Sequence, residues 1–295
     1  MKVYIASSEE HVGNIQEDVC IRDMCIAMGV SSEILTLRNI VKISNPSDVV
    51  ILKSIWDYHL DYREFLAQVS ELKKRRVQLI NNYDYIIWNI DKYKYLDDIK
   101  HINAIPTHLL QINRIRNIPE IEKKISKIAK TFNANRLVIK PTVSASGYLT
   151  SIYGVNQNND DLLVLLKANK HLDFIVQPYR SSITKGEISV IIINGELLYG
   201  VMRFPGVLSE KKIPTYLDLI NVPNSIKNTL TVLKKLFMKK FGGLPVVCRV
   251  DFLKNNSTYE ILEVELIDPD LFFRYIPQNV KETAVSSLLS KIYNN

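Results

Sequence analysis

Three carboxylates and a turn make the best candidate for chemistry in this chain. The stretch Arg249 to Phe273 reads as two strands joined at the polar residues Asn255-Asn256-Ser257-Thr258. Asp251 falls on the first strand. Glu263 and Glu265 fall on the second, two apart, so they share a face. A turn near residue 257 sets Asp251 roughly opposite Glu263. Three acids on one face repel one another unless something positive sits among them. Oxygen-only ligands suit a hard cation, and Mg²⁺ takes one or two carboxylates together with substrate phosphates. The plain alternative is the solvated outer face of a hairpin.

Upstream segments supply groups that suit an anion. In Val138-Ile139-Lys140-Pro141-Thr142-Val143-Ser144-Ala145-Ser146-Gly147, a lysine ends an apolar strand and small residues follow. Small side chains let backbone N–H groups approach a phosphate, and Lys140 adds a point charge. A polar hairpin loop with an edge lysine is the alternative. Lys92, after Asp91, stands at a helix start, where most lysines are simply solvated. Two lysines from two lobe edges, meeting over an acidic metal face, would bracket a polyphosphate. Gln177-Pro178-Tyr179 breaks a strand, because proline donates nothing to a ladder. Backbone groups are thereby freed for a flat ligand such as a purine, and Glu187 lies within reach of a ribose. A linker between domains would look similar.

These groups need elements to hold them. Residues 2–6, 33–37, 48–53 and the stretch VQLIN read as strands, and residues 15–29 and 61–75 as helices, the first ending at Gly29. That alternation indicates an α/β lobe over residues 1–90. Helices are expected over 91–103, 118–131, 159–169 and 222–241, with a hairpin around Asn194-Gly195, a strong two-residue turn signal. The later part is thus α+β, largely antiparallel, dividing into lobes 91–176 and 177–295.

Composition narrows the function classes. The 295 residues are 46% hydrophobic and 23% charged, the balance of an ordinary globular protein. There is no apolar run of about 18 residues to span a membrane. The N-terminus reads as a first strand rather than a leader, and a cytoplasmic location is expected. The net charge of +7 raises nucleic acid as a partner, but the basic residues are scattered, and lining a phosphate cleft uses the surplus equally well. Cys20, Cys25 and Cys248 lack metal-ligand spacing and read as reduced, buried thiols. The five histidines are scattered and read as structural. The sequence leaves association into oligomers open.

Taken in order, Lys92, Lys140 with its small-residue loop, the Gln177-Pro178 break, Glu187 and the acidic hairpin resemble the ATP-grasp superfamily along nearly the whole chain. Within it the chain resembles the branch containing the cycloserine-forming ligase, related to glutathione synthetase and glutamate-adding ligases. Val49 to Tyr58 (VVILKSIWDY), Trp88-Asn89-Ile90-Asp91-Lys92, Ile105-Pro106-Thr107, Cys248 to Asp251 and Leu262 to Pro269 carry that likeness. The resemblance implies a parallel α/β lobe followed by two α+β lobes sandwiching ATP. It implies that Lys92 and Lys140 contact ATP phosphates and that Ser144, Ser146 and Gly147 close over them. Gln177 and Tyr179 would hold adenine and Glu187 the ribose. Asp251 and Glu263, with Glu265 where many relatives have Asn, would bind Mg²⁺, or Mn²⁺ in its place. Arg203 would stabilise the transferred phosphate or the tetrahedral intermediate. The implied activity is an ATP-dependent carboxylate–amine ligase acting through an acyl phosphate on small-molecule or peptide substrates. A phosphotransferase on the same scaffold and a non-catalytic nucleotide-binding regulator remain alternatives. Two departures concern the acceptor. Lys53 stands where the branch has Arg, and residues 206–214 lack its glycine pair, leaving Lys211 or Lys212 as the nearest basic groups.

Overall fold

The structure, a computed structural model, describes residues 1–204 and 212–293. Along the chain, β1 (Val3–Ser7), α1 (Gln16–Ala27), β2 (Ser32–Thr36), α2 (Leu37–Ile43), β3 (Val49–Leu52), α3 (Tyr62–Lys74), β4 (Gln78–Ile80) and α4 (Tyr83–Asn89) come first. Next follow α5 (Lys92–Asp98), β5 (His108–Gln111), α6 (Ile118–Phe132), β6 (Arg136–Pro141), β7 (Ser151–Gly154), α7 (Asp160–Ala168) and β8 (Asp173–Pro178). The last are β9 (Glu187–Ile193), β10 (Glu196–Arg203), β11 (Thr215–Leu217), α8 (Asn224–Phe241), β12 (Val247–Asn255), β13 (Thr258–Glu265) and α9 (Gln278–Tyr293).

The chain forms two compact units. One is discontinuous, Met1–Ile90 with Ser182–Asn295, and the other is Asp91–Ser181. The first unit holds a parallel sheet in the order β2-β1-β3-β4 and an antiparallel sheet in the order β11-β10-β9-β12-β13. One apolar core serves both sheets. Val3, Ile5, Val49 and Ile51 from the parallel sheet join Ile191, Ile193, Val201 and Val247 from the antiparallel one, with Leu288 and Leu289 of α9. A core built from both ends of the chain explains why neither end forms a separate unit. β3 is buried at every position, as its unbroken apolar run requires of a parallel strand.

Polar side chains stitch the two sheets at their ends. Asn81, just past β4, donates through Nδ2 to the carbonyls of Val247 and Leu266 and accepts from the Val247 N–H at 3.1 Å. Asn89 donates to the Val264 carbonyl at 2.7 Å and accepts from the Leu266 N–H at 2.8 Å. Two buried amides thus satisfy backbone groups at the end of the acidic hairpin. The rings of Tyr85 and Trp88 on α4 pack against Phe237 and Phe241 on α8, which fixes that helix beside them.

The second unit is a four-stranded antiparallel sheet, β5-β8-β6-β7, covered by α6 and α7. Ile121, Ile125 and Ile128 recur at helical spacing on α6 and pack on Leu137, Ile139, Phe174 and Val176. β8 ends at Pro178, but that residue pairs with Leu137 and the Tyr179 N–H still donates to the Arg136 carbonyl at 2.9 Å, so the ladder runs through the proline instead of breaking there as the sequence suggests.

Candidate active site

The hairpin of β12 and β13 turns at Asn256-Ser257 and pairs Asp251 with Glu263 and Arg249 with Glu265. Counted from the turn alone, where Asn255 pairs with Thr258, Asp251 would face Leu262 instead. A bulge follows, opposite Asp251 and Phe252, and it keeps Glu263 and Glu265 on the face that carries Asp251. Each of the three carboxylates offers an oxygen within 4.8 Å of the others.

Two arginines stand among the acids. Arg249 donates to both oxygens of Asp251 at 3.0 Å and also to Glu265. Arg203, at the end of β10, donates to Asp251 Oδ2 at 2.8 Å, pairs with Glu187 at 2.5 Å and donates to the Ser189 hydroxyl at 2.8 Å. Arg203 is thus held between Glu187 and Asp251. Arg249 is the residue that sequence reasoning missed. Its signal was strand parity, since a residue two before Asp251 shares its face. Gly186 makes the pairing of Glu187 with Arg203 feasible. Its φ is +98°, and a Cβ there would meet Met202 Sδ at 2.7 Å and the Arg203 carbonyl at 3.1 Å.

Burial and charge set the protonation of the cluster. Burial pushes up the carboxyl of Glu187, against Arg203, to about 7. Burial likewise pushes Glu265 up to about 7, against Arg249 and aided by Glu263, although about a quarter of its side chain reaches solvent. Burial acts on Asp251 in the same sense, but Arg249 and Arg203 outweigh it and hold that carboxyl well below the usual range. Tyr58, on the loop after β3, is raised first by burial and then by Asp268, Glu265 and Glu263, so its phenol stays a proton donor at neutral pH. Its proximity to the acidic hairpin was not legible in the sequence.

The set fits a divalent cation. Four carboxylates (Glu187, Asp251, Glu263 and Glu265) against two guanidiniums leave a formal charge of −2 when all are ionised. Asp251 Oδ1 accepts from Arg249 Nε, and a carboxylate oxygen has a second lone pair with which to ligate a cation. All the donors are hard oxygens.

The second unit carries the anion-binding candidates. Asp91 caps α5 by accepting from Tyr93 and Lys94 N–H, which sets Lys92 at the first helical position. The Lys92 N–H donates to the Thr142 carbonyl at 2.8 Å, and its ammonium donates to the Ser144 carbonyl. Lys140 lies in β6 of the same unit, so both lysines belong to one unit rather than to two lobe edges. Ser144 is buried and donates to the Pro141 carbonyl, while Ser146 and Gly147 take left-handed backbone at φ +50° and +73°. Gln177 is buried and donates to the Thr107 hydroxyl at 3.0 Å. The Tyr179 ring lies 4.1 Å from the Arg136 guanidinium.

Lys53 is buried against Glu17 at 2.5 Å and donates to the Pro269 carbonyl. Lys212 is exposed, with its ammonium over the Phe204 ring; Gly206 to Lys211 of the acceptor loop lie outside the described residues.

Comparison with known proteins follows the same lines. A family model described as the N-terminal domain of D-cycloserine synthetase DcsG matches residues 3–81. The crystal structure of D-cycloserine synthetase DcsG superposes with a TM-score of 0.78 at 17% identity, covering 98% of this chain and 99% of that one. The ATP-grasp ligase PsnB, complexed with minimal precursor, Mg and ADP, gives 0.63 at 12% identity, covering 99% and 98%. The chain has the ATP-grasp fold. The D-alanine–D-alanine ligase of Bacillus anthracis, complexed with ATP, shares that fold at a TM-score of 0.65 and 16% identity, covering 100% and 96%. No curated protein sequence matches the chain. Among the described residues, no helix is long and apolar enough to cross a membrane, which agrees with an ATP-grasp fold built on two sheets in one unit and a third in the other.

Proposed function

We propose that the chain is an ATP-dependent carboxylate–amine ligase. The observation that carries this is the grouping of Asp251, Glu263 and Glu265 with Arg203 and Arg249 on one sheet of an ATP-grasp fold. A substrate carboxylate oxygen attacks the γ-phosphorus of ATP, and the bond to the bridging oxygen of ADP breaks. An amine nitrogen then attacks the acyl carbon, phosphate leaves, and the nitrogen gives up a proton to solvent. No side chain need become covalently attached, in keeping with scattered histidines and with cysteines of which Cys25 and Cys248 are buried and Cys20, expected to be buried too, is half-buried.

The residues supply charge and position. Asp251, Glu263 and Glu265 would hold Mg²⁺, which neutralises phosphate charge when bound. Arg203 and Arg249 orient Asp251 and add positive charge beside the transferring group. Lys92, Lys140 and the loop Ser144 to Gly147 would receive the ATP phosphates. Gln177 and Tyr179 would flank the base, and Glu187, already paired with Arg203, would reach the ribose. The enzyme would be cytoplasmic, with small acids or peptides and amines as its substrates.

The test is ADP release from Mg-ATP with pooled amino acids and small amines, followed by mass spectrometry. The expected result is ADP and phosphate released together with a new amide mass. A stable phosphorylated product without free phosphate would identify a phosphotransferase instead. ATP binding without turnover in any pool would identify a regulator.

A further inference from the structure

Phe272 is a bulky residue in left-handed backbone, φ +59°. Glycine reaches that conformation without strain, and an aromatic residue persists there only where its surroundings over-determine it. The surroundings here do so. The Phe272 N–H donates to Asp270 Oδ1 at 2.8 Å, and its carbonyl accepts from the Tyr275 N–H at 2.8 Å. On either side, Leu271 and Phe273 donate their N–H groups to the two oxygens of Glu17, at 3.0 and 3.1 Å. The Leu271 carbonyl accepts from the Tyr199 hydroxyl at 2.7 Å, and the Pro269 carbonyl accepts from Lys53. Glu17 and Lys53 are themselves a buried ion pair. These bonds fix the direction in which the Phe272 side chain leaves the backbone.

The side chain faces the arginines of the cluster. The Phe272 ring centroid lies 5.4 Å from the Arg249 guanidinium carbon and 5.8 Å from that of Arg203, both within cation–π range. One ring thus contacts both groups that orient Asp251. We propose that Phe272 is a positioning residue for the carboxylate cluster: the Glu17–Lys53 pair fixes the backbone that carries its ring, and the ring holds Arg203 and Arg249 against Asp251. Lys53 and Pro269 are 216 positions apart in sequence, so residues near the N-terminus set the geometry of a hairpin near the C-terminus. This rests on reading the cluster as a metal site, because outer groups that orient ligands govern metal affinity.

The test uses the full chain and three variants. F272L removes the ring, F272Y keeps it, and V285A removes bulk from the same core at a buried site on α9. Mn²⁺ affinity is measured by electron paramagnetic resonance. The arginine Nε–H resonances are measured by ¹⁵N-resolved NMR, where a ring face shifts them upfield. F272L is expected to weaken Mn²⁺ binding about ten-fold, the low end for a group acting through a ligand's partner, and to return the Arg203 and Arg249 Nε–H signals downfield. F272Y is expected to match the parent protein in both readouts, and V285A to lower stability with unchanged Mn²⁺ affinity. The proposal is overturned if F272L leaves Mn²⁺ affinity or the Nε–H shifts unchanged, if V285A weakens Mn²⁺ as much, or if F272Y behaves like F272L. Failure of the parent protein itself to bind Mn²⁺ sinks the metal reading instead, and the Nε–H shifts of F272L against F272Y then decide the positioning of the arginines.

Discussion

Replacing Arg249 with Met removes the guanidinium that bridges Asp251 and Glu265 while keeping an apolar stem of similar length. The side chain is 7% exposed and Asp251 is 1% exposed, so little water is available to compensate. Removing one partner of a buried pair costs about 3–5 kcal/mol, because the other charge stays buried. The formal charge of the cluster falls from −2 to −3, with Arg203 the cation left among its four carboxylates. Protons offset part of this. Glu187 and Glu265, with pKa values of about 7, bind protons more readily at pH 6 than at pH 8. The loss should therefore be largest at pH 8. With a urea slope of about 3 kcal/mol per M, the midpoint falls by about 1–1.7 M. A divalent cation restores positive charge at the same place, and Mg²⁺ at 100 times its dissociation constant adds back about 2.7 kcal/mol. Urea titrations at pH 6 and pH 8, with and without Mg²⁺, read all of this. A loss below about 1 kcal/mol at pH 8, or a larger loss at pH 6 than at pH 8, refutes the account of the cluster.

Four further outcomes are expected. Glu187 is raised in the folded protein above its unfolded value of 4.5, so the fold binds the proton more tightly and metal-free stability declines as pH rises from about 5 to 7. Glu187→Gln should flatten that decline, by up to about 1.4 kcal/mol per pH unit, as read by thermal melts across the range. Asn81→Leu orphans three buried backbone groups at about 1–3 kcal/mol each and should cost at least about 3 kcal/mol in chemical denaturation, with the parallel-sheet part of its unit affected alike. Lys92→Met removes a charge-assisted phosphate contact of about 1.5–3 kcal/mol and should weaken ATP at least about ten-fold by calorimetry; an unchanged affinity would remove Lys92 from the nucleotide site. Glu263→Ala should abolish Mg²⁺-dependent ADP release while the protein stays folded by circular dichroism, and retained turnover would discard Glu263 as a ligand.

The acidic hairpin was legible because its determinants are local. A polar turn and two-residue periodicity bring Asp251 and Glu263 to within a residue of each other, and a one-residue bulge at Leu262, which the sequence does not announce, completes their pairing. The long helices follow in the same way, α6 and α8 lying within a residue or two of the periodic stretches that predict them. The short helices α2 and α4 were not legible. Leu37–Ile43 and Tyr83–Asn89 are rich in β-branched and aromatic residues, and what holds α4 helical is an Asn82 cap and ring contacts to Phe237 and Phe241, far away in sequence. The Glu17–Lys53 pair and the single core joining both ends of the chain were hidden for the same reason. No local pattern announces a partner 36 residues away, as Glu17 is from Lys53, still less one in a distant strand or helix.

The discontinuity of the first unit has a consequence for synthesis. The parallel sheet of Val3 to Ile80 emerges from the ribosome before residues 91–181, yet its core lacks Ile191, Val247 and Leu288 until residues 182–293 have followed. Asp91–Ser181, contiguous and with its own core, has everything it needs well before that. The part that starts second is thus the part able to finish first, and the nascent parallel sheet must wait, with apolar surface uncovered, for the far end of its own chain.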